Sequence, residues 1–155
     1  MTREQFLQAF ADAYERLIAT AVAAAQRGVT RQGDSWGPRE IVAHLAGWEV
    51  MATVRVPPIA AGMLPLEEAD ESRQTVMTDA INATIVTMIG AQSLDALCGL
   101  LREAYHRDLA ILRTLDDANF HPGAYVFERT QGAIEHCQEH AQALVIADAR
   151  GGAAG

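Results

Sequence analysis

The stretch SLDALCGLLREAYHRDLAILRTL, residues 93–115, decides the fold class. Leu94, Leu97, Leu101, Ala104, Asp108 and Ile111 recur every three or four positions, the spacing that lines side chains along one side of an α-helix. Ser93 stands where an N-cap hydroxyl is needed. One charged residue, Asp108, interrupts the otherwise apolar stripe. Upstream, RQTVMTDAINATIVTMIG (73–90) is readable as a helix despite its β-branched residues. Downstream, DDANFHPGAYVFERT (116–130) reads as a loop, and Thr130 or Gln131 opens a final helix to about Ala147. ARGGAAG (149–155) then reads as a flexible tail.

The N-terminal third shows the same periodicity. Phe6, Phe10, Ala13, Leu17 and Ala21 share a face of a helix predicted from Thr2, its cap, to about Arg27. GVTRQGDSWGP breaks it, and Pro38 suits the first turn of a second helix with Gly37 as its cap. That helix is expected to stop near Arg55, before Pro57 and Pro58. VPPIAAGMLPLEEADES (56–72) then reads as a long connection, apolar first and acidic later. No alternating pattern is long enough for a sheet. The expectation is an all-α chain: a single domain over residues 1–148, built as a bundle of four main helices with long connections.

The chain has 155 residues, half of them hydrophobic, enough for one sizeable core. Twenty acidic residues against 12 basic ones give a net charge of -8, which repels nucleic acid and anionic membranes. The two cysteines, Cys98 and Cys137, do not make a disulfide framework and suit a reducing cytoplasm. No run approaches the roughly 20 apolar residues of a membrane span, and MTREQFLQAF carries charge where a signal peptide needs its apolar core. A soluble cytoplasmic protein is expected.

In GAIEHCQEHAQAL (132–144), His136 and His140 stand four apart and so share one helix face with Ala133, Ala143, Leu144 and Ala147. Two inward imidazoles side by side need either separate hydrogen-bond partners or one shared cation. His44, set among Glu40, Ile41, Leu45 and Trp48, also lies on a largely apolar face. The glutamate spacing differs from the H-E-x-x-H of zinc proteases.

SWGPREIVAHLAGWE (35–49) resembles the second-helix signature of the DinB-like (DinB/YfiT-like) proteins, with a tryptophan, a helix start, a histidine eight residues after that tryptophan, and a W-E pair. EHCQEH (135–140) resembles their last-helix H-x-x-x-H, and DAINATIV with SLDALCGLLREAYHRDLAIL is similar to the ClbS/DfsB-type branch. The resemblance runs over about residues 2–147. It implies a four-helix bundle with a crossover and a three-histidine site, His44, His136 and His140, for a divalent metal, zinc or nickel. It also implies activity on a small electrophilic molecule, by transfer of a low-molecular-weight thiol or by hydrolysis, and a homodimer, for which the apolar connection Val56–Leu66 offers a surface. A non-catalytic metal- or ligand-binding bundle is the alternative. No catalytic residue is assigned. Glu40 is a candidate base or hydrogen-bond acceptor for a ligand, with Glu49, Glu135 and Glu139 of the same grade. Gly37 stands where a Ser or Thr cap is common. Cys137 matches no ligand position and reads as packing beside the site, as Trp36 and Trp48 read as core. His106 and His121 read as a helix-surface and a loop residue.

Overall fold

The computed structural model describes residues 1–63 and 71–152. They form five helices: α1 (Arg3–Gln26), α2 (Pro38–Ala60), α3 (Glu71–Ile89), α4 (Leu94–Thr114) and α5 (Tyr125–Gly152), with a 3-10 turn at Asp117–Asn119. Among the described residues there is no strand, only one isolated bridge between Gln32 and Ser35. The all-α expectation holds. No helix among them is long and apolar enough to cross a membrane.

Local chemistry explains most of the boundaries. Thr2 Oγ1 accepts the Gln5 N–H at 3.2 Å while Gln5 Oε1 accepts the Thr2 N–H at 2.8 Å, a reciprocal cap for α1. Ser93 Oγ accepts the Ala96 N–H at 3.2 Å and opens α4. At the start of α2, Gly37 has no side chain to give, and a Cβ there would lie 2.6 Å from the Arg31 nitrogen. Glu40 supplies the missing half by accepting the Gly37 N–H at 3.1 Å.

Three boundaries differ from the sequence reading. Helix α2 does not stop at Arg55 but carries Pro57 and Pro58 inside its last turns. It ends where Gly62 adopts φ +68, with the Gly62 N–H on Ile59 O at 2.9 Å and the Met63 N–H on Pro58 O at 2.8 Å. This left-handed glycine cap satisfies the last carbonyls, so the end is set by Gly62 and not by the prolines. Val56 and Ile59 are thereby buried within the chain instead of forming an exposed connection, and residues 64–70, the rest of that stretch, lie outside the described residues. Helix α5 starts at Tyr125, not Thr130, because Glu128 Oε1 reaches back to the Gly123 N–H at 2.7 Å and Val126 is buried. Its far end runs to Gly152, past the expected stop near Ala147, and 153–155 lie outside the described residues.

The core joins Phe6, Phe10, Leu17 and Ala21 of α1 with Ile41, Leu45 and Val56 of α2, Leu97, Leu101 and Leu112 of α4, and Val126 and Leu144 of α5. Burial of the larger of these side chains contributes about 1.5–3 kcal/mol each. Helix α2 packs chiefly against α4, and α5 chiefly against α1, so the main packing partners are not neighbours in sequence. Helix α3 packs on α2.

Candidate metal centre

Helix α2 presents His44 and helix α5 presents His136 and His140, and the three imidazoles meet. His44 Nε2 lies 3.3 Å from His136 Nε2, and His140 Nε2 lies 2.9 Å from His136 Nε2. One ligand atom from each lies within 4.8 Å of the other two, so the three can hold one metal ion. Bonds of about 2.0–2.1 Å to a common ion put neighbouring nitrogens about 3.3 Å apart on a tetrahedron and about 2.9 Å apart on an octahedron, and the two separations from His136 fall in this range. The ring faces support the same convergence: the His44 centroid is 5.0 Å from His136, 5.4 Å from His140 and 5.0 Å from the Trp36 indole.

The environment keeps these rings neutral, the state in which imidazole coordinates. Burial, then the two neighbouring imidazoles, lowers the pKa of His44 to about 3, against a smaller opposing effect of Asn82. Burial and His136 lower His140 to about 4. Burial also lowers His136, with Glu139 and Glu49 working against it. His44 Nδ1 is buried without a hydrogen-bond partner. Trp48, on the next turn, donates its indole N–H to Asn82 Oδ1 of α3 at 2.8 Å. It bridges two helices instead of filling the core.

Of the three histidines, His140 borders an adjacent cavity. A cavity of about 1150 Å³ is lined by His140, Trp36, Ile41 and Ala143, with Arg27, Thr30 and Asp34 on its rim. The rim is a preformed turn: Gln32 and Ser35 exchange backbone hydrogen bonds at 3.0 Å, and Arg31 Nε donates to Gly33 O at 2.8 Å. It presses so closely on the start of α2 that Gly37 has no room for a side chain. Trp36, read from sequence as core, is half-buried and packs against the core, and it also lines the cavity beside His44.

Comparison with family models, with curated proteins and with solved structures gives no match.

The other sequence candidates fall elsewhere. Glu40 is buried, but its carboxylate caps α2 and faces Arg39. Glu135 is exposed and accepts from Gln131, and Glu139 is exposed. His106 is exposed against the Tyr105 hydroxyl, and His121 sits in the loop against Pro122 O. Cys137 is buried and outside the three-histidine group, its thiol pushed up to about 12 by burial and by Glu49.

Glu49 belongs to a cluster that the sequence reading missed. Arg129 Nη2 donates to Glu49 Oε1 at 2.5 Å, Arg129 Nη1 donates to Asp108 Oδ2, and the Tyr14 hydroxyl donates to Glu49 Oε1 at 2.5 Å. Asp108 and Glu49 are 0% and 2% exposed, so the break in the α4 stripe is a buried charge with a partner. Burial raises the Asp108 pKa to about 7, with Arg129 opposing and Glu49 adding to the rise. Burial works against the charge of Arg129, but Glu49 and Asp108 outweigh it and keep the guanidinium protonated. Burial, then Glu49, raises Tyr14 well above its ordinary value. Asp108 was the available signal: a carboxylate on an apolar face requires a buried cation, and Arg129 went unseen because its segment read as loop.

Proposed function

We propose that the chain is a DinB-like four-helix bundle acting as a metal-dependent enzyme on a small electrophilic molecule. The observation that carries this reading is the convergence of three neutral imidazoles at the edge of a cavity large enough for an organic substrate. His44, His136 and His140 would hold zinc or nickel and leave positions free, as three-ligand catalytic sites do. Such an ion supplies Lewis acidity that lowers the pKa of a water or a thiol bound in those positions. Trp36 gives the cavity a flat apolar wall, and the 30–35 turn fixes its rim. The packing of α2 on α4 and α5 on α1 suits the crossover arrangement of such bundles.

The alternative, a bundle that binds metal or a small ligand without catalysis, is favoured by one specific observation. Among the described residues, each buried carboxylate already has a partner: Glu40 in the α2 cap, Glu49 and Asp108 at Arg129. None of the three is wholly free to act as a general base. The test is turnover. Metal-loaded and chelator-treated protein are assayed against epoxides, activated esters and alkyl halides, with and without low-molecular-weight thiols. Metal-dependent consumption of an electrophile supports the enzyme; metal binding without any such turnover supports the alternative.

A further inference from the structure

We propose that Arg129 is a positioning residue for the three-histidine group, fixing the register of α5 against α2 so that His44 meets His136 and His140. The proposal rests on the metal-site reading above. The ligand-bearing helices are not each other's main packing partners: α2 lies chiefly on α4 and α5 on α1, and the two meet over a short stretch. Direct packing between them is therefore limited, and side-chain links add to what their shared packing on α1 fixes.

Two such links join α2 to α5, one at His44–His136 and one at Glu49–Arg129. Glu49 follows His44 by five residues and Arg129 precedes His136 by seven, so the helices run antiparallel at this contact. The links lie about 7.5 Å apart along α2 and about 10.5 Å apart along α5, at about 1.5 Å of rise per residue, and the long arginine side chain spans the difference. Two points that far apart fix slide and rotation together. A shift of α5 by a single residue would move His136 by about 1.5 Å and turn it by about 100°, which takes its ring away from His44.

The clamp also ties the pair into the remaining long helices. Asp108 on α4 takes the other guanidinium nitrogen, and Tyr14 on α1 shares the Glu49 oxygen. Four helices thus contribute one group each to a single buried junction, and two of them also carry the three histidines. A planar guanidinium can serve two carboxylates at once in fixed directions, whereas an ammonium cannot reproduce that fork. Buried ion clusters are weak stabilisers on balance, and in this one the guanidinium joins groups from three helices in fixed directions.

The test compares zinc affinity, by competition with a chromophoric chelator, and the visible absorption of cobalt(II)-loaded protein. The proteins are wild type, Arg129→Lys, and Arg129→Met combined with Glu49→Gln and Asp108→Asn. The triple variant removes every charge of the junction, so none is left buried and unpaired. It is expected to keep its helical circular dichroism and to bind zinc about 10- to 100-fold more weakly, with an altered cobalt spectrum. Arg129→Lys is expected to weaken zinc about tenfold. Wild-type affinity and cobalt spectrum in the triple variant, however far its melting temperature moves, would overturn the proposal. If the triple variant does not fold, unchanged binding by Arg129→Lys overturns it and weakened binding supports it. Wild type that binds neither metal refutes the metal-site reading and this proposal with it. Wild type and variants binding alike refute this proposal only.

Discussion

Gly47 lies on α2 between His44 and Trp48 and faces α3, where a Cβ would come within 2.5 Å of Ile85 Cγ2, 2.6 Å of Cδ1 and 2.7 Å of Cγ1. Gly47→Ala therefore sets two effects against each other. Replacing a helix-interior glycine gains about 1 kcal/mol of helix propensity. The new methyl, however, needs about 0.9 Å of retreat to reach ordinary contact, and Ile85, stiff at χ1, cannot give it by rotating. Overpacking of this kind costs about 1–3 kcal/mol, so a net loss of about 1 kcal/mol is expected, a fall of about 2–4 °C in the melting temperature of a chain this size. In an Ile85→Ala background the obstruction is gone, and the same substitution is expected to stabilise by about 1 kcal/mol. The double-mutant cycle then gives a coupling of about 2 kcal/mol in urea denaturation. Because Asn82 lies one turn before Ile85, withdrawal of α3 also exposes the Trp48 indole, which a red shift in its fluorescence reports. If Gly47→Ala stabilises the wild-type chain by as much as it does the Ile85→Ala chain, α3 does not pack on α2 beside His44.

Tyr14→Phe removes a donor from buried Glu49 and is expected to destabilise by about 1–3 kcal/mol in urea denaturation; an unchanged midpoint argues against the junction. The histidines make metal-free stability pH-dependent. With His44 at about 3 and His140 at about 4, both below the ordinary 6.5, the unfolded chain binds more protons, so their contribution is present above pH 6.5 and is lost as pH falls below it. Asp108, raised to about 7, acts in the opposite sense, its contribution present at low pH and lost as pH rises through 7. The difference between chelator-treated wild type and His44→Gln isolates the histidine, with an expected slope of about 1 kcal/mol per pH unit between pH 6.5 and 5.5. A pH-independent difference contradicts the burial of His44. Gly62→Ala, at φ +68, is expected to lower stability by about 1 kcal/mol through the α2 C-cap, read as a thermal midpoint.

How far the chain was legible from sequence depends on how local the determinant was. Thr2, Ser93 and the Phe6 to Ala21 stripe signal their helices through neighbours within one or two turns, and these elements stand where periodicity placed them. The His136–His140 pair was legible for the same reason, whereas its meeting with His44 is a tertiary fact that the apolar faces left open and the resemblance implied. Local signals also misled. Pro57 and Pro58 read as a stop, yet Gly62 closes the helix beyond them, and Pro122–Gly123 hid the first turn of α5. That second error concealed Arg129, so Asp108 appeared as a flaw in a stripe instead of half of a buried pair. Glu40 and Glu49 share a residue type and a helix but not a fate. One satisfies a backbone amide and the other an arginine distant in sequence, a difference that composition and spacing do not encode.

The central claim is that His44, His136 and His140 form one metal site, and the most direct measurement is metal stoichiometry by mass spectrometry after loading with zinc or nickel. Wild type, His44→Ala and His140→Ala are compared, with helical circular dichroism recorded for each. The account predicts about one ion per chain in wild type, loss of most tight binding in both variants, and a preserved helical signal, because the apolar core does not depend on metal. Wild type that cannot be loaded, or variants that retain the wild-type stoichiometry, would contradict it.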